Sequence, residues 1–152
     1  MPGLGGEVRE MIYVKDIMTR SVRTIAPEAT VADAAKLMVR WKIGSLVISD
    51  GKSPKGIITE GDISRCVAKG MSLESKLKAF SRKKLFTVPS YERVEVAAKL
   101  MSENNIKKLP VMDDGKLVGI ITQTDIVASS FSLITSLKEM VQARYRPPDF
   151  EM

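Results

Sequence analysis

Two threonine–aspartate pairs, Thr59 with Asp62 and Thr122 with Asp125, are the residues of this chain best equipped for chemistry. Each closes the same run, Gly-Ile-Ile-Thr-x-x-Asp, at Gly56 to Asp62 and at Gly119 to Asp125. A spacing of three residues is about one helical turn, so a helix that starts at the threonine puts hydroxyl and carboxylate at one end. That arrangement suits recognition rather than turnover. The start of a helix offers N–H donors and the positive end of its dipole to an anion. The threonine hydroxyl can add a donor for a phosphate oxygen, and a carboxylate one turn on can accept from both hydroxyls of a sugar such as ribose. Lys107 and Lys108 are candidates to neutralise phosphate charge. Ile17, Ile43 and Ile106 are candidates for the flat apolar slot a purine needs. Thr124 adds a hydroxyl to the second motif where the first has Gly61. Thr-x-x-Asp is also nearly a capping box, which needs only a helix start. The two roles are compatible, because the cap stabilises the helix end when no ligand is bound.

Other chemistries are poorly provided for. The chain has no histidine, which removes the Ser-His-Asp and Cys-His arrangements and the usual zinc sites. Its one cysteine, Cys66, cannot form an intrachain disulfide and reads as a small apolar residue. Gly3-Leu4-Gly5-Gly6 is not a dinucleotide fingerprint, because no strand precedes it, and no Walker A loop is present. We therefore expect neither catalytic residues nor a metal. The formal net charge of +6 favours anionic partners: nucleotides, nucleic acid or an acidic protein. The basic run Lys76 to Lys84 reads first as a solvated linker, and otherwise as the border of a phosphate entrance or a nucleic-acid contact. No apolar run approaches the ~18 residues of a membrane span, and Met1 to Glu10 has no apolar core of a signal peptide. A cytoplasmic location is the expectation.

The elements that would position these residues come from a repeat. Shifted by 63 positions, Thr24 to Ile63 aligns without a gap on Thr87 to Ile126, with sixteen of the forty positions identical. Unrelated segments of ordinary composition would share roughly 2 or 3. In each copy a short extended piece (Val22 to Ile25; Leu85 to Val88) precedes a helix with a 3.6-residue apolar stripe. The first stripe is Val31, Ala34, Ala35, Leu37, Met38 and Trp41; the second is Val94, Ala97, Ala98, Leu100 and Met101. Thr30 is the expected N-cap of the first helix, with Asp33 three residues on. Two strands follow, around turns at Asp50-Gly51 and Asp114-Gly115. A second helix then starts at Thr59 and at Thr122, and Gly70 is the expected stop of the first of these. The unit is β-α-β-β-α, too small to bury its own sheet, so two units should pack with pseudo-twofold symmetry in an α/β (α+β) fold.

The duplicated Gly-Ile-Ile-Thr-x-x-Asp motif, the opening Val14-Lys15-Asp16-Ile17-Met18-Thr19 and the strand entry Ile43-Gly44-Ser45-Leu46 resemble the CBS-domain family, named after cystathionine β-synthase. The resemblance runs from about Val14 to Val127. The opening of the second copy departs from it, with Ala79-Phe80-Ser81 in place of Asp16-Ile17-Met18. It implies a lead-in over residues 1–13, one CBS repeat over 14–70, a second over 71–128 that includes the basic linker, and a C-terminal helix and tail over 129–152. Phe131, Ile134, Leu137 and Val141 would form the stripe of that helix. It also implies that each aspartate works with a purine slot from the opposite repeat. Asp125 would work with Ile17, Arg20, Ile43 and Gly44, and Asp62 with Lys83, Ile106 and Lys107. The ligand implied is AMP, ADP, ATP or S-adenosylmethionine. The molecule implied is a homodimeric, non-enzymatic sensor that an unidentified effector protein reads. A nucleic-acid-binding protein using the basic surface is the alternative, although no aromatic stacking platform accompanies the charge.

Overall fold

The computed structural model describes residues 11–81, 85–130 and Glu139. Lys83, lead-in residues 1–10 and the stripe Phe131, Ile134, Leu137 and Val141 lie outside the described residues. The first copy comprises α1 (Val14–Ile17), β1 (Thr24–Ile25), α2 (Val31–Trp41), β2 (Ser45–Ser49), β3 (Pro54–Thr59) and α3 (Glu60–Ala68). The second opens with a 3-10 turn, Leu77–Phe80, followed by α4 (Val94–Glu103), β4 (Lys108–Asp113), β5 (Lys116–Thr122) and α5 (Gln123–Ser129). The result is a mixed α+β fold of two related halves.

Local chemistry explains the element ends. Thr30 caps α2 as its type and position predict: its Oγ1 accepts from the Asp33 N–H at 3.1 Å, and Asp33 Oδ2 accepts from the Thr30 N–H at 3.0 Å. The second copy has Arg93 at this position, and α4 starts without a side-chain cap. Gly70, at φ +66°, stops α3, and the next N–H, of Met71, returns to the Cys66 carbonyl at 2.9 Å. Asp114 and Gly115 both have positive φ, 48° and 74°, as a two-residue hairpin turn between right-twisted strands demands. The corresponding turn of the first copy is longer, because β2 ends at Ser49 and β3 begins at Pro54.

The sheets differ in one instructive way. In the first half β1 runs parallel to β2, and β2 antiparallel to β3. In the second half β4 and β5 form the antiparallel pair, but the strand expected over Leu85 to Val88 is reduced to a bridge between Val88 and Val111. The cause is Pro110. Its counterpart, Val47, donates its N–H to the Arg23 carbonyl at 3.1 Å, and proline has no N–H to make that rung.

The halves are tied by their openings, which cross over. The core of the first half, built on Ile25, Val31, Met38, Leu46, Ile48 and Ile58, also takes in Leu77, with Phe80 packed against it. The core of the second half, built on Val88, Ala97, Met101, Leu109, Val111 and Ile121, takes in Val14 and Met18, with Ile17 packed against it. Thr19 and Ile120 exchange backbone hydrogen bonds, each 2.9 Å, so the first opening extends the edge of β5. The motif glycines make the crossings possible. A Cβ on Gly119 would stand 2.6 Å from Met18 Sδ and 2.9 Å from the Thr19 carbonyl oxygen; one on Gly56 would stand 2.8 Å from the Phe80 carbonyl oxygen. All three distances are too short for a side chain, so each copy's opening rests where the other copy has glycine. The same exchange occurs at both ends of the 63-residue offset, as pseudo-twofold packing requires. The basic run is therefore more than a solvated linker: Leu77 within it is fully buried.

Candidate functional site

Both Thr-x-x-Asp motifs form capping boxes at helix starts. In the first, Asp62 Oδ2 accepts from the Thr59 N–H at 2.8 Å and from Thr59 Oγ1 at 3.0 Å, while Thr59 Oγ1 accepts from the Asp62 N–H at 3.2 Å. In the second, Asp125 Oδ2 accepts from the Thr122 N–H at 2.9 Å, and Thr122 Oγ1 accepts from the Asp125 N–H at 3.1 Å. The preceding strand entries hold each helix in place. Glu60 donates its N–H to the Gly44 carbonyl at 3.1 Å, and Gln123 donates to the Lys107 carbonyl at 2.8 Å. Two first-turn donors of each helix are thus committed, and the donor field expected for an anion narrows to the turn around Gly61 or Thr124.

The motifs differ in what remains free. Asp62 Oδ1 accepts from Arg65 Nη2 at 2.6 Å. Among the described residues, Asp125 Oδ1 has no partner, and the Thr122 hydroxyl proton is not spent on its own aspartate.

A hollow of about 580 Å³ opens beside the head of α3. From the first copy it is lined by Gly44, Ile57, Thr59, Glu60, Gly61, Asp62 and Arg65; from the second, by Leu85, Phe86, Asn105, Ile106, Lys107 and Lys108. Of the residues expected with Asp62, Ile106 and Lys107 are there. Lys108 joins them, its Nζ 3.5 Å from where a Cβ on Gly44 would stand, with the Glu60 carboxylate 3.7 Å from the same point. Gly44, grouped with Asp125 by resemblance, borders this hollow instead. A second hollow, about 420 Å³, lies between α4 and α5, lined by Ala98, Met101, Ser102, Gln123, Ile126 and Val127, and it shares Asn105, Ile106 and Lys107 with the first.

The remaining candidates have structural surroundings of their own. Ile17 packs against the second core and Ile43 against the first. Arg20 donates to the Lys15 carbonyl at 3.3 Å, and Thr124 is exposed on the first turn of α5. Sequence reasoning missed Glu60, Arg65, Leu85, Phe86 and Asn105. Arg65 carried a usable signal, since a cation three residues after a carboxylate on a helix meets it. Leu85 and Phe86 carried none, because only the packing of the copies brings them to Asp62. Among the described residues no cluster of metal-ligating side chains occurs, and no helix is long and apolar enough to cross a membrane.

Comparison with known proteins gives the duplicated halves a family. A family model described as the CBS domain matches residues 14–69 and again 77–132. The CBS domain-containing protein YhcV of Bacillus subtilis is 31% identical over 123 residues, covering 80% of this chain and 88% of that protein. The homoserine O-acetyltransferase of Methanosalsum zhilinae is 37% identical over 117 residues, which is 76% of this chain but 23% of the enzyme. The crystal structure of the CBS domain pair of protein MJ0100, in complex with 5′-methylthioadenosine and S-adenosyl-L-methionine, is similar with a TM-score of 0.73 at 29% identity, covering 81% of this chain and 98% of that one.

Proposed function

The chain belongs to the CBS-domain family, as a tandem pair of such domains, and from that premise we propose that it is a regulatory module that senses an adenine nucleotide or adenosyl compound. AMP, ADP, ATP and S-adenosylmethionine are the ligands to try first. One observation carries the reading: Thr59 and Asp62 of one repeat share a hollow of about 580 Å³ with Ile106, Lys107 and Lys108 of the other. A ligand there touches both repeats at once. Its binding energy then depends on how the repeats sit, which is how a sensor converts occupancy into a change that a partner reads. The volume falls in the ordinary range for small-molecule sites. The complex of the MJ0100 pair with two adenosyl compounds supports the ligand class.

The module has no catalytic role in this reading. The matched acetyltransferase leaves most of its length outside the likeness, so its activity is not carried over. Assembly as a homodimer and delivery of the signal to a separate effector protein belong to the same proposal.

Thermal unfolding with each adenine compound tests it. Ligand at 100 times its Kd adds about 2.7 kcal/mol of stability. Asp125→Ala and Asp62→Ala should each remove part of the shift, and the double variant nearly all of it, while both singles remain folded. Absence of any shift across AMP, ADP, ATP and S-adenosylmethionine contradicts the reading.

A further inference from the structure

The two motifs differ by a paired exchange. Gly61 and Arg65 of the first stand where the second has Thr124 and Ala128. The structure explains why they change together. The Arg65 guanidinium crosses over Gly61, its nitrogens 3.4 and 3.6 Å from where a Cβ would stand, and reaches Asp62 Oδ1 at 2.6 Å. A Cβ at 61 would touch the guanidinium at ordinary van der Waals distance, a longer side chain there would compete for that path, and alanine at 65 leaves nothing to take it. Arg65 therefore occupies the carboxylate oxygen that a ribose hydroxyl would use.

We propose that Arg65 sets the ligand class of the Asp62 hollow, making it select nucleoside phosphates over uncharged adenosyl compounds. The inference rests on the reading of the hollow as an adenosine-type site. A ribose that bonds Asp62 Oδ1 displaces the guanidinium. The freed guanidinium loses little, because the Arg65 side chain is already 64% exposed to water, and the ribose hydroxyl replaces it on the 17% exposed Asp62 carboxylate. What happens next depends on the ligand. The released guanidinium stays at the rim of a hollow already bordered by Lys107 and Lys108. A phosphate there receives it as a two-pronged, charge-assisted donor. A ligand without an anion displaces Arg65 and returns nothing. Asp125 has Ala128 at this position and lacks the device, so a ribose there would have no guanidinium to displace.

Calorimetry with AMP and adenosine tests this in an Asp125→Ala background, which leaves the Asp62 hollow as the site observed. Arg65→Ala should weaken AMP about tenfold, the effect of one charge-assisted hydrogen bond, and leave adenosine unchanged or up to about twofold tighter. Arg65→Lys, which keeps charge but not the fork, should fall between. Equal weakening of both ligands, or no change for AMP, overturns the proposal and leaves Arg65 a surface partner of Asp62. Binding of neither ligand by the Asp125→Ala protein, when the unmodified chain binds them, also overturns it but spares the sensor reading. If the unmodified chain binds neither, both fall.

Discussion

Thr59 and Thr122 do two jobs whose costs separate experimentally. As caps, each satisfies a helix N–H that would otherwise lack a partner, so Thr59→Ala or Thr122→Ala should lower stability by ~0.5–2 kcal/mol, measured by urea unfolding. Serine keeps the cap oxygen, and Thr59→Ser should be close to neutral. Asp50 gives a second handle at this scale. Its Oδ1 accepts from the N–H groups of Ser53 at 3.0 Å and Lys52 at 2.9 Å. Those backbone bonds, with Lys55 nearby, hold its carboxyl down to about 2 from an ordinary value of 3.8. A depressed carboxyl contributes stability that is complete above its unfolded pKa and is lost as pH falls through the folded one. Stability should therefore decline from about pH 4 toward about pH 2, and Asp50→Asn should make that decline shallower in acid-unfolding curves. The legible part of the site at this scale was the cap pairs, because capping is local in sequence. The pairing of Arg65 with Asp62 had a signal in its i,i+3 spacing, but the path of the guanidinium over Gly61 needed coordinates, since an exposed arginine has many rotamers.

At the scale of elements, glycine placement decides how the openings cross. Gly119 is read from sequence as part of a nucleotide motif, yet its Cα faces Met18 and the Thr19 backbone rather than a ligand. Gly119→Ala should cost ~1–3 kcal/mol by overpacking, read as a lowered midpoint in thermal or urea unfolding. Hydrogen exchange at the Ile120 amide, which donates to the Thr19 carbonyl, should quicken in the same variant. Pro110 shows the reverse case, a residue whose effect on the second sheet was readable in principle. The alignment sets it against Val47, and a proline in that register removes one rung. What hid the consequence was the acceptor, which only the pairing of β1 with β2 identifies.

Across the whole molecule, the exchange of openings couples the halves. Leu77 is fully buried in the core of the first half although it begins the second copy. Leu77→Ala should cost ~2–5 kcal/mol, and hydrogen exchange should show the first protection loss in β2 and β3, not in β4 and β5. Residues 14–70 expressed alone would lack Leu77 and Phe80 and would expose Val14 and Met18, which belong to the core of the second half. Their amide spectrum should show the narrow dispersion of an unfolded chain. A folded, dispersed spectrum would mean that the crossing is not needed for either core.

Periodicity, capping and turn chemistry are local properties, so the chain's own order of residues was enough to establish the two copies, their helices and hairpins, and the threonine and aspartate at each helix head. Which copy's residues face which came only from the family resemblance, because a repeat by itself specifies spacing but not partner. Packing settled it: openings too small to bury their own apolar faces found them covered only across the pseudo-twofold. That crossing placed Ile106, Lys107 and Lys108 opposite Asp62.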